Sequence, residues 1–254
     1  MSRFTSGSVL SLTLLALSVG ACSDSGGPSN QGQLNFNLAT RVAPVAAAGA
    51  SLAVVGSPET FTDGSNTLVI DQVQVVLREI ELHRTGLASD CLNAMDDDCE
   101  ELEIGPLLVD LPLGTPGAAR TFSVQIAAGS YDKIEVEIHK PSSSDDAAFI
   151  QANPGFQDVS IRVTGTYNGT GFTYLGDYND ELQFNMVPDL TVGATAATEL
   201  TLFADLNAWF RDQSGMLIDP ATASTGSPNE SLVEENIKNS LESFEDDDLD
   251  GDRD

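Results

Sequence analysis

Residues 131–140 alternate Ile134, Val136 and Ile138 with Lys133, Glu135, Glu137 and His139. A period of two turns one set toward a core and the other toward water, which predicts a strand of an antiparallel sheet. Phe122, Val124 and Ile126 form a similar run upstream, and Ala128-Gly129-Ser130 between them is turn chemistry. Together they predict a β-hairpin with a glycine-containing loop. Residues 33–40 set Leu34, Phe36 and Leu38 against Asn35 and Asn37 and predict a first strand. Residues 41–66 are rich in Ala, Gly, Ser and Thr and predict loops around one short strand. The longest apolar run is 67–84, where Val73, Val75 and Leu77 share one parity while Ile80 and Leu82 take the other. That change of face near Arg78-Glu79 predicts a β-bulge or a bend between two sheets. A helix through Val73, Val76, Leu77 and Ile80 is the alternative, but the wealth of valine and isoleucine favours a strand.

Further strands are predicted at 160–167, 171–177, 182–188 and 198–205, with Asn168-Gly169 as a tight turn between the first two. Residues 205–211 read as a short helix carrying the only tryptophan, Trp209, beside Phe210. At the C-terminus the period changes. Ser227-Pro228-Asn229-Glu230 has serine at the N-cap, proline at N1 and glutamate at N3. Val233, Ile237, Leu241 and Phe244 then share one helix face. About nine regularly spaced strands without long alternating helices predict an all-β protein, an antiparallel β-sandwich with the short helix near 205–211 and a C-terminal amphipathic helix. The expected organisation is a signal peptide at 1–21, a flexible tether at 22–32, the sandwich at 33–225, and a helix with an acidic tail at 226–254.

Hydrophobic residues make up 41% of the 254, enough for a packed core, but 11 basic against 39 acidic residues give a net charge of −28. Nucleic-acid binding needs the opposite sign. Such a chain attracts divalent cations instead. Removing residues 1–21 takes away only one base, Arg3. Those residues combine that charge with an apolar stretch at 9–19, too short to span a bilayer and the right length for a secretory signal. Val19-Gly20-Ala21-Cys22 follows and resembles the bacterial lipobox, which implies a lipid anchor on Cys22. The Gly/Ser-rich stretch 23–30 suits a tether. By resemblance to Gram-negative lipoproteins, Ser23 rather than Asp after the cysteine implies the outer membrane.

Cys91 and Cys99 flank a run of acids, and export permits a disulfide between them. Closing a loop of about nine residues stabilises by roughly 2.5 kcal/mol in the chain-entropy model. The acids around it form either a solvated hairpin tip or a calcium loop. The two histidines, His83 and His139, each end a strand two residues after a glutamate, Glu81 and Glu137. If those strands are neighbours, two Glu-x-His pairs meet on one face as a metal site; otherwise they are a polar outer face. In the tail, Asp246, Asp248 and Asp250 take positions 1, 3 and 5 of an EF-hand-like calcium loop, with Gly251 at position 6 and Asp252 as a further candidate ligand. The sequence given ends at Asp254, before the glutamate of position 12. Neither a Gly-x-Ser-x-Gly elbow nor a His-Glu-x-x-His pair is present, and no phosphate loop follows a strand.

The lipobox, VQVVLREIEL, the acidic insertion, VDLP and AGSYDKIEVEIHKP together resemble an uncharacterised domain family of bacterial lipoproteins over about residues 33–210. The resemblance implies a prealbumin- or immunoglobulin-like β-sandwich and carries no established activity. The expected function is a non-catalytic, membrane-anchored binding module of the envelope, with calcium as the expected cofactor and an envelope polysaccharide or protein as partner. The alternatives are a structural component assembling with like domains and an envelope hydrolase. Trp209, Phe210, Tyr167, Phe172, Tyr174 and Tyr178 would form a sugar-stacking surface if exposed and are core otherwise.

Overall fold

A computed structural model of the chain describes residues 31–40, 57–85, 100–114 and 117–250. Eleven strands among them form two sheets of an all-β sandwich, two more strands than the sequence pattern predicts. The smaller sheet has the order β11 (Leu241–Glu245), β10 (Ala197–Ala204), β1 (Gln31–Ala39) and β5 (Ala119–Ala127). The larger runs β8 (Thr170–Gly176), β7 (Ile161–Tyr167), β3 (Thr67–Arg84), β6 (Gly129–Ile138) and β9 (Asp180–Val192). On the other edge of β3 lie β2 (Glu59–Thr62) and β4 (Glu100–Asp110). β1 and β10 pair in parallel, whereas the other described pairings are antiparallel.

The long strand β3 organises the larger sheet. Its residues in the shared core change parity twice: Leu68 and Ile70, then Val73, Val75 and Leu77, then Ile80 and Leu82, while Gln74 and Val76 are buried on the opposite side between the bends. The second change is the one expected at Arg78-Glu79, and the pairings with β4 and β6 both slip there. The first, after Ile70, coincides with a slip against β7. These two bends let one strand pair with β2 and β7 along its first half and with β4 and β6 along its second. Gly165 of β7 makes the first bend possible, because a Cβ there would lie 1.9 Å from the Val69 carbonyl oxygen. The Asn168-Gly169 turn joins β7 and β8 with φ of 51° and 79°, as a two-residue hairpin of the primed type requires.

The expected hairpin between β5 and β6 is not formed. β5 pairs with β1 in the smaller sheet, and β6 pairs with β3 and β9 in the larger. The turn at Ala128 carries the chain across the sandwich, and the Tyr131 hydroxyl donates to the Ala127 carbonyl at 2.6 Å to hold that crossing. Alternation reports which side of a strand is buried and says nothing about which strand lies beside it.

The C-terminal segment also differs from expectation. Helices α1 (Ala147–Ala152), α2 (Leu206–Trp209) and α3 (Glu230–Asn239) are short. α3 starts after Asn229 rather than Ser227, and it buries Val233 and Ile237 in the core shared by both sheets. It stops at Asn239, and Leu241 and Phe244 belong to β11, paired with β10. The Trp209 indole donates to Ser240 Oγ at 2.7 Å across this junction. Residues 226–250 are therefore an integral layer of the sandwich and not an appendage beyond residue 225.

Candidate cation-binding sites

Among the described residues three groups of side chains could ligate a cation: Asp246, Asp248 and Asp250 in the tail, Glu81, His83 and Glu135 on the larger sheet, and Asp177, Glu230 and Glu234 between the end of β8 and α3. The first is in the tail, where sequence placed Asp246, Asp248, Asp250 and Asp252. Asp252 lies outside the described residues, as do Cys22, Cys91 and Cys99. The other three converge: each offers a carboxylate oxygen, and these oxygens lie within 4.8 Å of one another. Asp246 follows β11 directly and is fully buried, its amide donating to the Glu199 carbonyl at 3.2 Å. Its Oδ2 accepts from the Thr201 hydroxyl at 3.1 Å, and its Oδ1 accepts from the Asp250 amide at 3.1 Å. Asp248 Oδ1 receives the same amide at 3.3 Å. The turn is docked onto the loop before β5, where the Ala118 amide donates to the Leu249 carbonyl at 3.0 Å. Gly117 makes that contact possible: its φ is +83°, and a Cβ would meet the Leu249 oxygen at 2.4 Å. The expected EF-hand framing does not hold, since a strand and not a helix leads into the turn.

The second cluster lies on the outer face of the larger sheet. Pairing sets Glu81 of β3 opposite Glu135 of β6, and Glu137 of β6 opposite Glu181 of β9. Glu101 and Glu103 of β4 stand in register with Glu81 and Glu79. A shallow recess is lined by Glu79, Glu81, Glu135, Glu137 and Glu181. Directly opposed like charges cost about 0.2–1 kcal/mol per pair, so this stripe must be neutralised locally. Arg78 Nε lies 3.2 Å from Glu137, Lys133 Nζ hydrogen-bonds Glu135, and His83 Nε2 lies 3.2 Å from Glu81 and 3.5 Å from Glu135. Glu135 and Glu181 also share a hydrogen bond. That bond, with burial behind it, raises the pKa of Glu181. Burial opposes ionisation of Glu135, but its hydrogen bonds to Glu181 and Lys133 and the Lys133 charge outweigh it and lower its pKa. The two groups are thus driven apart, Glu135 toward losing its proton at lower pH than Glu181.

The two Glu-x-His pairs are on neighbouring strands, but they do not meet. β3 and β6 run antiparallel, with His83 opposite Lys133 and Leu77 opposite Ile138, so the histidines sit at opposite ends of the pairing. His139 is buried, with Nε2 2.8 Å from Asp146 and Nδ1 3.3 Å from Glu137. Asp146 Oδ2 also accepts the Ser142 amide at 2.9 Å, so this chain of contacts pins the loop before α1.

Of the aromatics, Trp209, Phe210, Phe172 and Tyr174 are buried, and Tyr167 and Tyr178 pack against the same core. They form a cluster in which Phe210 meets Tyr174 edge-on at 5.3 Å, and they offer no stacking platform. The polar side of β1 is not wet either. Asn35 and Asn37 are buried, and their amides donate to the Glu199 carboxylate at 2.5 and 3.0 Å. Sequence gives no sign of this network, because it depends on β10 lying beside β1. No helix of the described residues is long and apolar enough to cross a membrane. Searches of protein-family models, curated proteins and solved structures find no match to this chain.

Proposed function

We propose that this protein is a lipid-anchored component of the bacterial envelope whose sandwich is a non-catalytic binding module, with calcium held at the Asp246–Asp250 turn. The observation that carries the calcium reading is the convergence of three carboxylates within 4.8 Å at a sheet edge, one of them on a fully buried residue. Calcium takes six to eight oxygens at about 2.3–2.6 Å, and three carboxylates with water and backbone carbonyls meet that demand. An ion there would fasten the tail across β10 and the loop before β5. The lipid anchor rests on the signal-like residues 1–21 and the lipobox ending at Cys22. Burial of the aromatic cluster favours a cationic or polar ligand over a stacked sugar. Val187 and Met216 are the large apolar side chains exposed among the described residues, too little apolar surface to favour assembly with like domains.

Calorimetry on the full chain tests the calcium reading. The expected dissociation constant is roughly 10⁻⁴–10⁻³ M, the range of weak extracellular sites. Asp248→Asn combined with Asp250→Asn should abolish the heat while sparing buried Asp246. An unchanged isotherm refutes the site. For the anchor, Cys22→Ala should move the protein out of the carbonate-washed membrane pellet, and continued pelleting refutes lipidation.

A further inference from the structure

We propose that Glu81, His83 and Glu135 form a second, chemically different metal site, for a zinc-class divalent ion, on the outer face of the larger sheet. The imidazole sets this cluster apart from the acidic patches of the chain. Nitrogen donors suit zinc and its neighbours, whereas calcium takes oxygen. Two strands hold all three ligands. Glu81 and His83 are two residues apart on β3 and so share a face, and pairing places Glu135 directly opposite Glu81.

The distances match the ion. Zinc binds nitrogen and carboxylate oxygen at about 2.0–2.2 Å, so two corners of its tetrahedron stand roughly 3.3–3.6 Å apart. His83 Nε2 lies 3.2 Å from Glu81 Oε1 and 3.5 Å from Glu135 Oε1, and one donor atom from each of the three residues falls within 4.8 Å of the others. A zinc ion needs only small side-chain adjustments to occupy the three corners. The fourth corner faces the recess lined by Glu79, Glu137 and Glu181 and is open to water or to an incoming carboxylate. Those surrounding carboxylates raise the local concentration of a divalent cation.

Without metal the cluster is neutralised by Lys133, whose ammonium sits on Glu135. A metal ion must displace that ammonium to reach Glu135. The displacement gives the proposal a distinctive consequence. Lys133→Met should strengthen metal binding, since it removes the competing charge and leaves every ligand in place.

Zinc titration of the metal-stripped full chain tests this, with millimolar calcium present to occupy the tail turn. The expected result is one zinc per chain, weakened about 10–100-fold or more by His83→Gln, since losing even an outer-shell partner costs that much. Glu81→Gln should act the same way, and Lys133→Met the opposite way. Imidazole resonances of the unmutated protein give a readout independent of folding of the variants. With only two histidines, His83 and His139, the His83 signals should move on zinc addition while those of His139 stay. Unaltered His83 signals, unchanged affinity in His83→Gln and Glu81→Gln, or loss of the zinc heat in Asp248→Asn would each overturn the assignment.

Discussion

Ending the chain at Gly226 should abolish cooperative folding, although the alternating strand pattern is complete well before that point. The truncation removes α3 and β11, and with them Val233, Ile237 and Phe244, which are 0%, 1% and 4% exposed. Burying a side chain of this size contributes about 1.5–3 kcal/mol, so three of them contribute roughly 4.5–9 kcal/mol. The cut also uncovers Trp209, which is 1% exposed and loses the Ser240 hydroxyl that accepts its indole proton. β10 loses its neighbour from Leu200 to Ala204 and becomes an unpaired edge. Domains of this kind have about 5–15 kcal/mol in total, so the loss is comparable with the whole. Thermal melts of the full and shortened chains, followed by near-ultraviolet circular dichroism for Trp209, measure it. A shortened chain that melts cooperatively within about 4 °C of the full chain has lost only about 1–2 kcal/mol, and the packing argument is then wrong.

Glu181→Gln should raise stability at pH 7 and do little in acid. The folded pKa of Glu181 is raised, so its stabilisation is present below the unfolded pKa and lost as pH climbs through the folded one. The gain should fall at the low end of about 0.2–1 kcal/mol because the side chain is solvent-screened, and an equal gain at pH 4 and pH 7 would contradict the raised pKa. Asp63 shows the opposite sign. Hydrogen bonds from Asn66, Leu217 and Ser65 hold its carboxyl far below the usual range, so Asp63→Ala should cost stability at neutral pH. That difference should shrink as pH drops beneath the ordinary carboxylate range; a pH-independent difference would refute the assignment to ionisation. Gly165→Ala should destabilise severely, its methyl colliding with the Val69 carbonyl, and a melt unchanged by the substitution would mean the first bend of β3 is not fixed by that contact.

Local pattern predicted elements well and neighbours poorly. The Asn168-Gly169 turn and the change of face at Arg78-Glu79 are written in a few adjacent residues, and both are present. The supposed β5–β6 hairpin fails because a turn can reverse a chain within a sheet or between sheets with the same residues. Leu241 and Phe244 continue the spacing of Val233 and Ile237, so a helical period absorbs them, while pairing with β10 decides their conformation. The glutamate recess was half legible. Parity put Glu135 and Glu137 on one face, but which acids oppose them is a matter of register across β3, β6 and β9. The tail aspartates were legible as a motif, and what sequence could not supply was the burial of Asp246 beside Thr201.

The charge imbalance of the chain yields one more consequence. Bases are few, and the three lysines are each committed to a carboxylate: Lys140 to Asp177, Lys238 to Asp180, Lys133 to Glu135. The carboxylates beyond them repel one another, and dissolved ions must offset that repulsion. Monovalent salt screens charges that face water, with a Debye length near 10 Å at 0.1 M, and does far less for carboxylates already partly withdrawn from it. A divalent ion bound between such carboxylates acts where screening does not reach. Calcium at about 10 mM, with a dissociation constant near 1 mM, should therefore add about 1.4 kcal/mol, or roughly 3–6 °C in Tm. Sodium chloride at matched ionic strength should add less. Melts of the full chain in the two salts, repeated with Asp248→Asn and Asp250→Asn combined, separate the contributions. An equal rise in both salts, or a calcium effect that survives both substitutions, would mean the tail turn holds no ion and that bulk screening alone accounts for the stability of this acidic sandwich.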